Sequence, residues 1–181
     1  MVDRRNLTMR DMGVAVAILV VSLLVVVGAM GGISFGNGTD NGTAPTADVI
    51  GGFASAGTAL KAPVVVPQGL PSTWRGNSYS LVDPATQGGG GVAVARGGWL
   101  TETGKFITLI QSPADATALV SQEVGQGLAS KGTADAGGAI WNVFPGQRQE
   151  PVWVRVHGGI TLLITGSAGL DDFQVLAAAV A

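Results

Sequence analysis

Cysteine is absent from the 181 residues, which removes disulfides, thiolate zinc sites, a cysteine nucleophile and the cysteine-borne lipid anchor of bacterial lipoproteins. Histidine occurs once, at His157, so a histidine-rich metal site has no ligands and a Ser-His-Asp triad would have to use this one residue. No SxxK motif accompanies it. The aspartates show no EF-hand spacing, and no cofactor or metal is expected. Charge is scarce as well: Lys and Arg number 10 against 12 Asp and Glu, a net charge of −2. Beyond the amino terminus the basic residues are scattered as Lys61, Arg75, Arg96, Lys105, Lys131, Arg148 and Arg155. Nucleic acid is therefore not an expected partner, because phosphate recognition calls for a basic patch.

What the chain does contain is a long uncharged run over residues 12–35. About 24 residues at ~1.5 Å each make a helix of roughly 36 Å, against about 30 Å of bilayer hydrocarbon. A cleaved signal peptide is the alternative, with Val27-Gly28-Ala29 as its small-x-small site, but its apolar region is usually about 7 to 15 residues. The run continues through Val25, Val26 and Val27 to Ile33, which favours a permanent anchor. A buried helix of a soluble core would show a polar face over this length. Arg4, Arg5 and Arg10 precede the run, whereas the first basic residue after it is Lys61. Positive flanks stay in the cytoplasm, so residues 1–11 are expected inside and the rest of the chain outside a plasma membrane crossed once. The Arg4-Arg5 pair also fits a twin-arginine export signal, which the positive-inside rule makes unnecessary.

Residues 36–47, rich in Gly, Asn, Thr and Asp, bury too little apolar surface to offset ordering and read as a tether. Asn37 and Asn41 match the glycosylation sequon, which has little meaning in the expected bacterial context. Residues 48–181 form the domain proper. "VIGGFASAGTAL" reads as a short helix despite its glycines. "APVVVPQGLPSTW" reads as an edge strand, because Pro63, Pro67 and Pro71 cannot donate to a central ladder. "NSYSLV", "GVAVARGGWLT", "KFITLIQ", "AIWNVF", "PVWVRVH" and "ITLLIT" read as strands, with "ETG" as a turn. "SPADATALVSQEVGQG" has helix grammar, with Ser112 as cap, Pro113 at the first position and Asp115 completing a capping box. A second helix is expected from Ser167 or Gly169 through "LDDFQVLAAAV", where Leu170, Phe173, Ala177 and Val180 share a face. The fold class is α+β, an antiparallel sheet with about two packed helices.

Most candidate sites have a plainer structural reading. The glycines at 88–91 lack the GK[ST] of a phosphate loop and read as a hairpin tip, and "GKF" at Gly104 fails as a Walker loop. Asp171 and Asp172 are adjacent on a helix, point apart, and suit the first-turn dipole. Trp74, Trp99, Trp141 and Trp153 would make a sugar-stacking platform, but each lies among Val and Ile in or beside a strand, where core packing is the ordinary role.

At "VPQGLPSTWRGNSYS", "GWLTETGKFITLIQSPAD" and "GQRQEPVWVRV…LLITGSAGLDDFQVLAAA", and at the "RDM" before the apolar run, the chain resembles an actinobacterial family catalogued as domain of unknown function 4245. The resemblance implies a single-pass membrane protein with an extracytoplasmic domain and brings no catalytic residues. The leading expectation is an envelope module that binds or scaffolds a protein or a cell-wall polymer. An envelope hydrolase using Glu102, Asp115 or Glu150 is the alternative, since glycosidases need only two carboxylates. An accessory subunit of a membrane complex is a third.

The hairpin "PVWVRVHGGITLLIT" supplies the candidate contact surface. Alternation sets Val152, Val154 and Val156 on one face and Trp153, Arg155 and His157 on the other. Turn chemistry favours a two-residue Gly158-Gly159 turn, but a three-residue loop, 158–160, keeps apolar and polar faces apart by setting Val156 against Leu162 and Val154 against Ile164. That register is chosen. The Val face is then expected to be core, and Trp153, Arg155, His157 and Thr161 the contact surface.

Overall fold

The computed structural model describes residues 46–84 and 90–181, together with Gly13, Val14, Val16, Ile18, Leu19 and Ser22. Contacts divide the chain into two units, Met1–Thr43 and Ala44–Ala181. In the first, the described residues are helical, and Ser22 Oγ donates to the Ile18 carbonyl at 2.8 Å. The expected cytoplasmic stretch 1–11, the rest of the 12–35 span, the tether up to residue 45 and both sequons lie outside the described residues, as do Gly88 and Gly89. No helix among the described residues is long and apolar enough to cross a membrane.

The second unit is α+β, with helix α1 (Val49–Leu60), strands β1 (Arg75–Val82), β2 (Val94–Leu100) and β3 (Phe106–Ser112), helix α2 (Ala116–Glu123), strands β4 (Gly132–Ala136), β5 (Ala139–Pro145), β6 (Pro151–His157) and β7 (Ile160–Gly166), and helix α3 (Leu170–Ala179). The strands form one antiparallel sheet in the order β1-β2-β3-β7-β6-β5-β4. Two meanders thus meet at a central β3·β7 pair. The segment holding α2 carries the chain from the centre to the far edge, and β4 to β7 return to it by consecutive hairpins.

Local grammar accounts for most elements. Asp115 Oδ1 accepts from the Ala118 N–H at 2.9 Å and caps α2. The expected cap, Ser112, stays in β3, where its hydroxyl donates to the Ala93 carbonyl at 2.7 Å and accepts from Ala114 at 3.1 Å. Helix α3 starts after Gly169, whose N–H donates to Asp172 at 3.2 Å, and Asp171 and Asp172 occupy its first turn. The glycines that weaken α1 in isolation have a tertiary purpose. A Cβ on Gly52 would sit 2.6 Å from the Tyr79 ring, and one on Gly97 of β2 would collide with Val49 and Phe53. Small residues on both sides let α1 lie close on the sheet.

Three expectations are corrected. First, residues 62–70 join no ladder. Val65 donates to Gln111 Oε1 at 2.9 Å and Gln111 Nε2 donates to the Val65 carbonyl at 2.6 Å. One buried side-chain amide thus does for this segment what a neighbouring strand would do, while Val64, Val65, Val66 and Leu70 pack on the core. Second, β4 escapes sequence reading because "GTADA" has a single β-branched residue. Third, the β6–β7 register pairs His157 with Ile160, Val156 with Thr161, Arg155 with Leu162 and Val154 with Leu163. The turn is the two-residue one, with Gly158 and Gly159 at φ 58° and 85°, the all-positive geometry of a type I′ turn. Keeping two faces apart was no constraint, because both faces of this hairpin are covered away from its tip.

One face carries α1, α3 and the 62–70 segment over a core that includes Phe53, Trp99, Trp141, Trp153, Leu162 and Phe173. The other carries α2, over Val94, Ile110, Val152, Val154 and Leu163. The expectation of about two packed helices becomes three.

Candidate binding site

The four residues expected to share a contact surface do not share one. Trp153 is buried, with its ring edge-on to Phe173 at 5.4 Å. Thr161 is buried on the opposite face, where its hydroxyl donates to the Ala114 carbonyl at 2.6 Å. Arg155 and His157 stay together and are partly buried. Arg155 Nη2 lies 3.0 Å from His157 Nδ1, and the guanidinium stands 6.0 Å from the centre of the Trp141 ring. Arg155 Nη1 and Trp141 Nε1 are buried without an acceptor. The cation–π contact offsets part of that cost. Val156, placed in the core from sequence, is 61% exposed.

The carboxylates named for a hydrolase do not converge. Glu102 lies in the β2–β3 turn and Asp115 beyond the other end of β3. Seven residues of strand at ~3.3 Å each separate those two positions by roughly 20 Å. Glu150 is in the β5–β6 loop and lines a cleft with neither of them. Among the described residues no group of three or more His, Asp or Glu is placed to hold a metal.

Of the four tryptophans, Trp99, Trp141 and Trp153 are buried, and only Trp74 is partly exposed. It lines a cleft of about 320 Å³ together with Asp48, Ile50, Pro67, Leu70 and Trp99. Each wall is fixed by contacts elsewhere. The Trp74 N–H donates to the Pro71 carbonyl at 3.0 Å, and Gln68 is tied to the end of α3 through the Ala179 carbonyl at 2.9 Å. Trp99 stacks on Phe53 with ring centres 6.2 Å apart. Asp48 caps α1 by accepting from Gly51 at 2.8 Å, which leaves acceptor capacity on an exposed carboxylate at the rim. The arrangement is a preformed aromatic slot with one anionic hydrogen-bond acceptor.

A family model described as protein of unknown function (DUF4245) matches residues 4–180. The chain belongs to this family. The match spans both units, so the apolar run and the cleft fall inside it. No curated protein and no solved structure matches the chain. Sequence reading had considered Trp74 as one of four equivalent tryptophans, and only its remaining exposure separates it from the other three.

Proposed function

We propose that this protein is a membrane-tethered, extracytoplasmic binding module of the bacterial cell envelope, and that the Trp74 cleft takes a sugar ring of a cell-wall polymer. The tether rests on the uncharged 12–35 run, and the orientation on the arginines before it. The carrying observation for the ligand is Trp74, the one tryptophan left partly exposed, in a cleft whose rim holds the Asp48 carboxylate. An indole face stacks on the apolar C–H face of a pyranose, and a carboxylate accepts from its hydroxyls. A slot of about 320 Å³ lies at the small end of the range for preformed ligand sites. Binding without chemistry fits the dispersal of Glu102, Asp115 and Glu150.

The test is tryptophan fluorescence of the detergent-solubilised full chain titrated with soluble wall-glycan fragments. Saturable quenching is expected, with Trp74→Ala at least tenfold weaker and Asp48→Asn several-fold weaker. Unchanged affinity in Trp74→Ala, or no response to any glycan fraction, would reject the sugar assignment and favour a protein partner.

A further inference from the structure

The two edges of the sheet are finished differently. At β1 the chain closes part of its own edge: the Ala47 N–H donates to the Gly76 carbonyl at 3.0 Å, and the register shifts between Gly76 and Ser78. Bulges and covering segments of this kind keep an edge from pairing with another chain. At the other end of the strand order lies β4, paired on one side with β5. Among the described residues nothing comparable shields its outer side. The β4–β5 turn is the two-residue Gly137-Gly138, at φ 63° and 69°, and the register pairs Ala136 with Ala139 and Ala134 with Trp141. In a hairpin so closed, the residues flanking the turn exchange hydrogen bonds, and bonded and non-bonded pairs then alternate. Ala136 and Ala134 therefore bond inward to β5. The N–H and C=O groups of Asp135 and Thr133 point outward, and both residues are exposed.

Charge is laid out along this edge with a direction. Lys131 precedes β4, Asp135 lies near its end, and Asp171 of α3 joins Asp135 in lining an open cleft there. None of the three belongs to an ion pair among the described residues, where the pair found is Arg96 with Glu123. Gln174, Val175 and Ala178, exposed on one stripe of α3, line the same cleft, so a neighbour's side chains have room beside the edge.

We propose that β4 pairs with the β4 of a second copy of this chain, antiparallel about a two-fold axis at Ala134. That register sets Thr133 of each copy opposite Asp135 of the other, the two residues whose backbone groups are free, and each such pair exchanges both its hydrogen bonds. Directly opposite side chains share a face, so the threonine hydroxyl meets the aspartate carboxylate. An axis at Asp135 would set two carboxylates against one another, which is destabilising. An axis at Thr133 would set Asp135 opposite Lys131, whose N–H is already given to the Val143 carbonyl at 2.7 Å. With the axis at Ala134, the antiparallel run brings Lys131 of one copy to the Asp135 end of the other. A foreign strand would have to supply that order of charges; a second copy carries it, and a two-fold contact closes on itself. The contact is independent of the Trp74 cleft and of its sugar assignment.

A chain without cysteine makes the axis directly testable. Across a non-bonded antiparallel pair, as Ala134 would form with its copy, the Cα atoms lie about 4.5 Å apart, within the roughly 4.4–6.8 Å that a disulfide spans. Under mild oxidation of the solubilised full chain, Ala134→Cys is expected to give at least tenfold more disulfide dimer than Val156→Cys, an exposed position on β6. Thr133→Pro removes an outward N–H that the hairpin does not use, so it should preserve the fold and abolish the cross-link of Ala134→Cys. Equal cross-linking at the two cysteine positions, or a cross-link that survives Thr133→Pro, would overturn the proposal. Sedimentation decides even if Ala134→Cys fails to fold. The cysteine-free parent is expected to be a dimer and Thr133→Pro a monomer. A monomeric parent would reject a second copy as the occupant of this edge, and a dimer that Thr133→Pro leaves intact would place the contact elsewhere.

Discussion

The two faces of the sheet are built to different standards. Beneath α1 and α3 lie large side chains in ring contact, with Phe53 stacked on Trp99 and edge-on to Tyr79, and Trp153 edge-on to Phe173. Beneath α2, eight residues long, lie smaller aliphatics, and of the helix itself only Leu119 and Val120 are buried. A cleft of about 140 Å³ remains between α2 and Phe144, and Ile140 and Val156 are left 67% and 61% exposed. The same strand therefore buries Val152 and Val154 under α2 and exposes Val156 past its end. Alternation along a strand states which residues share a face. How far a covering helix reaches decides which of them are core.

The largest expected effect sets the faces against one another. Phe53→Ala should cost ~3–5 kcal/mol, since a close-packed site relaxes little around the cavity. Leu119→Ala should cost about 2–3 kcal/mol, because the space beside α2 lets its surroundings collapse. Chemical denaturation of both variants checks the order, and equal losses would remove the distinction between the faces.

A smaller effect tests the polar cost of the tighter face. Burial raises the Tyr79 phenol above its ordinary value of 10.0, and its hydroxyl has no hydrogen-bond partner. The fold then keeps a proton that the unfolded chain releases, so this contribution is full below about pH 10 and is lost as pH rises through the folded value. Tyr79→Phe should change stability at neutral pH by less than ~1 kcal/mol and flatten the alkaline decline. Denaturation curves at rising pH measure both, and the phenolate absorbance is unambiguous because the chain has a single tyrosine. The smallest effect belongs to the open face: Ile140→Thr and Val156→Thr should each stay within about 0.5 kcal/mol of the parent by thermal melting.

Much of this fold is legible from local pattern. The α3 boundary, the "ETG" turn and six of the seven strands follow from periodicity and turn residues. Apart from β4, the misses share one cause. Ser112 has the chemistry of a cap, yet its hydroxyl is drawn to the Ala93 carbonyl just before the neighbouring strand β2. The 62–70 segment has strand composition, yet a single side chain, Gln111, holds it instead of a ladder. The hairpin register was chosen to keep polar and apolar faces apart, a criterion without force once helices cover both. At the candidate site, Trp74 was already among the residues considered, whereas the placing of Asp48 beside it carries no sequence signal.

By itself the sequence determined the class and order of the elements, the absence of thiol and histidine-cluster chemistry, and the uncharged run on which the membrane reading rests. Those properties depend on composition and on neighbours within a few residues. Only the tertiary structure decided which tryptophan stays partly exposed, which valines of β6 are core, and that Glu102, Asp115 and Glu150 stay apart. Each of these depends on where distant segments come to lie, and a residue's own neighbours in the chain carry no record of that.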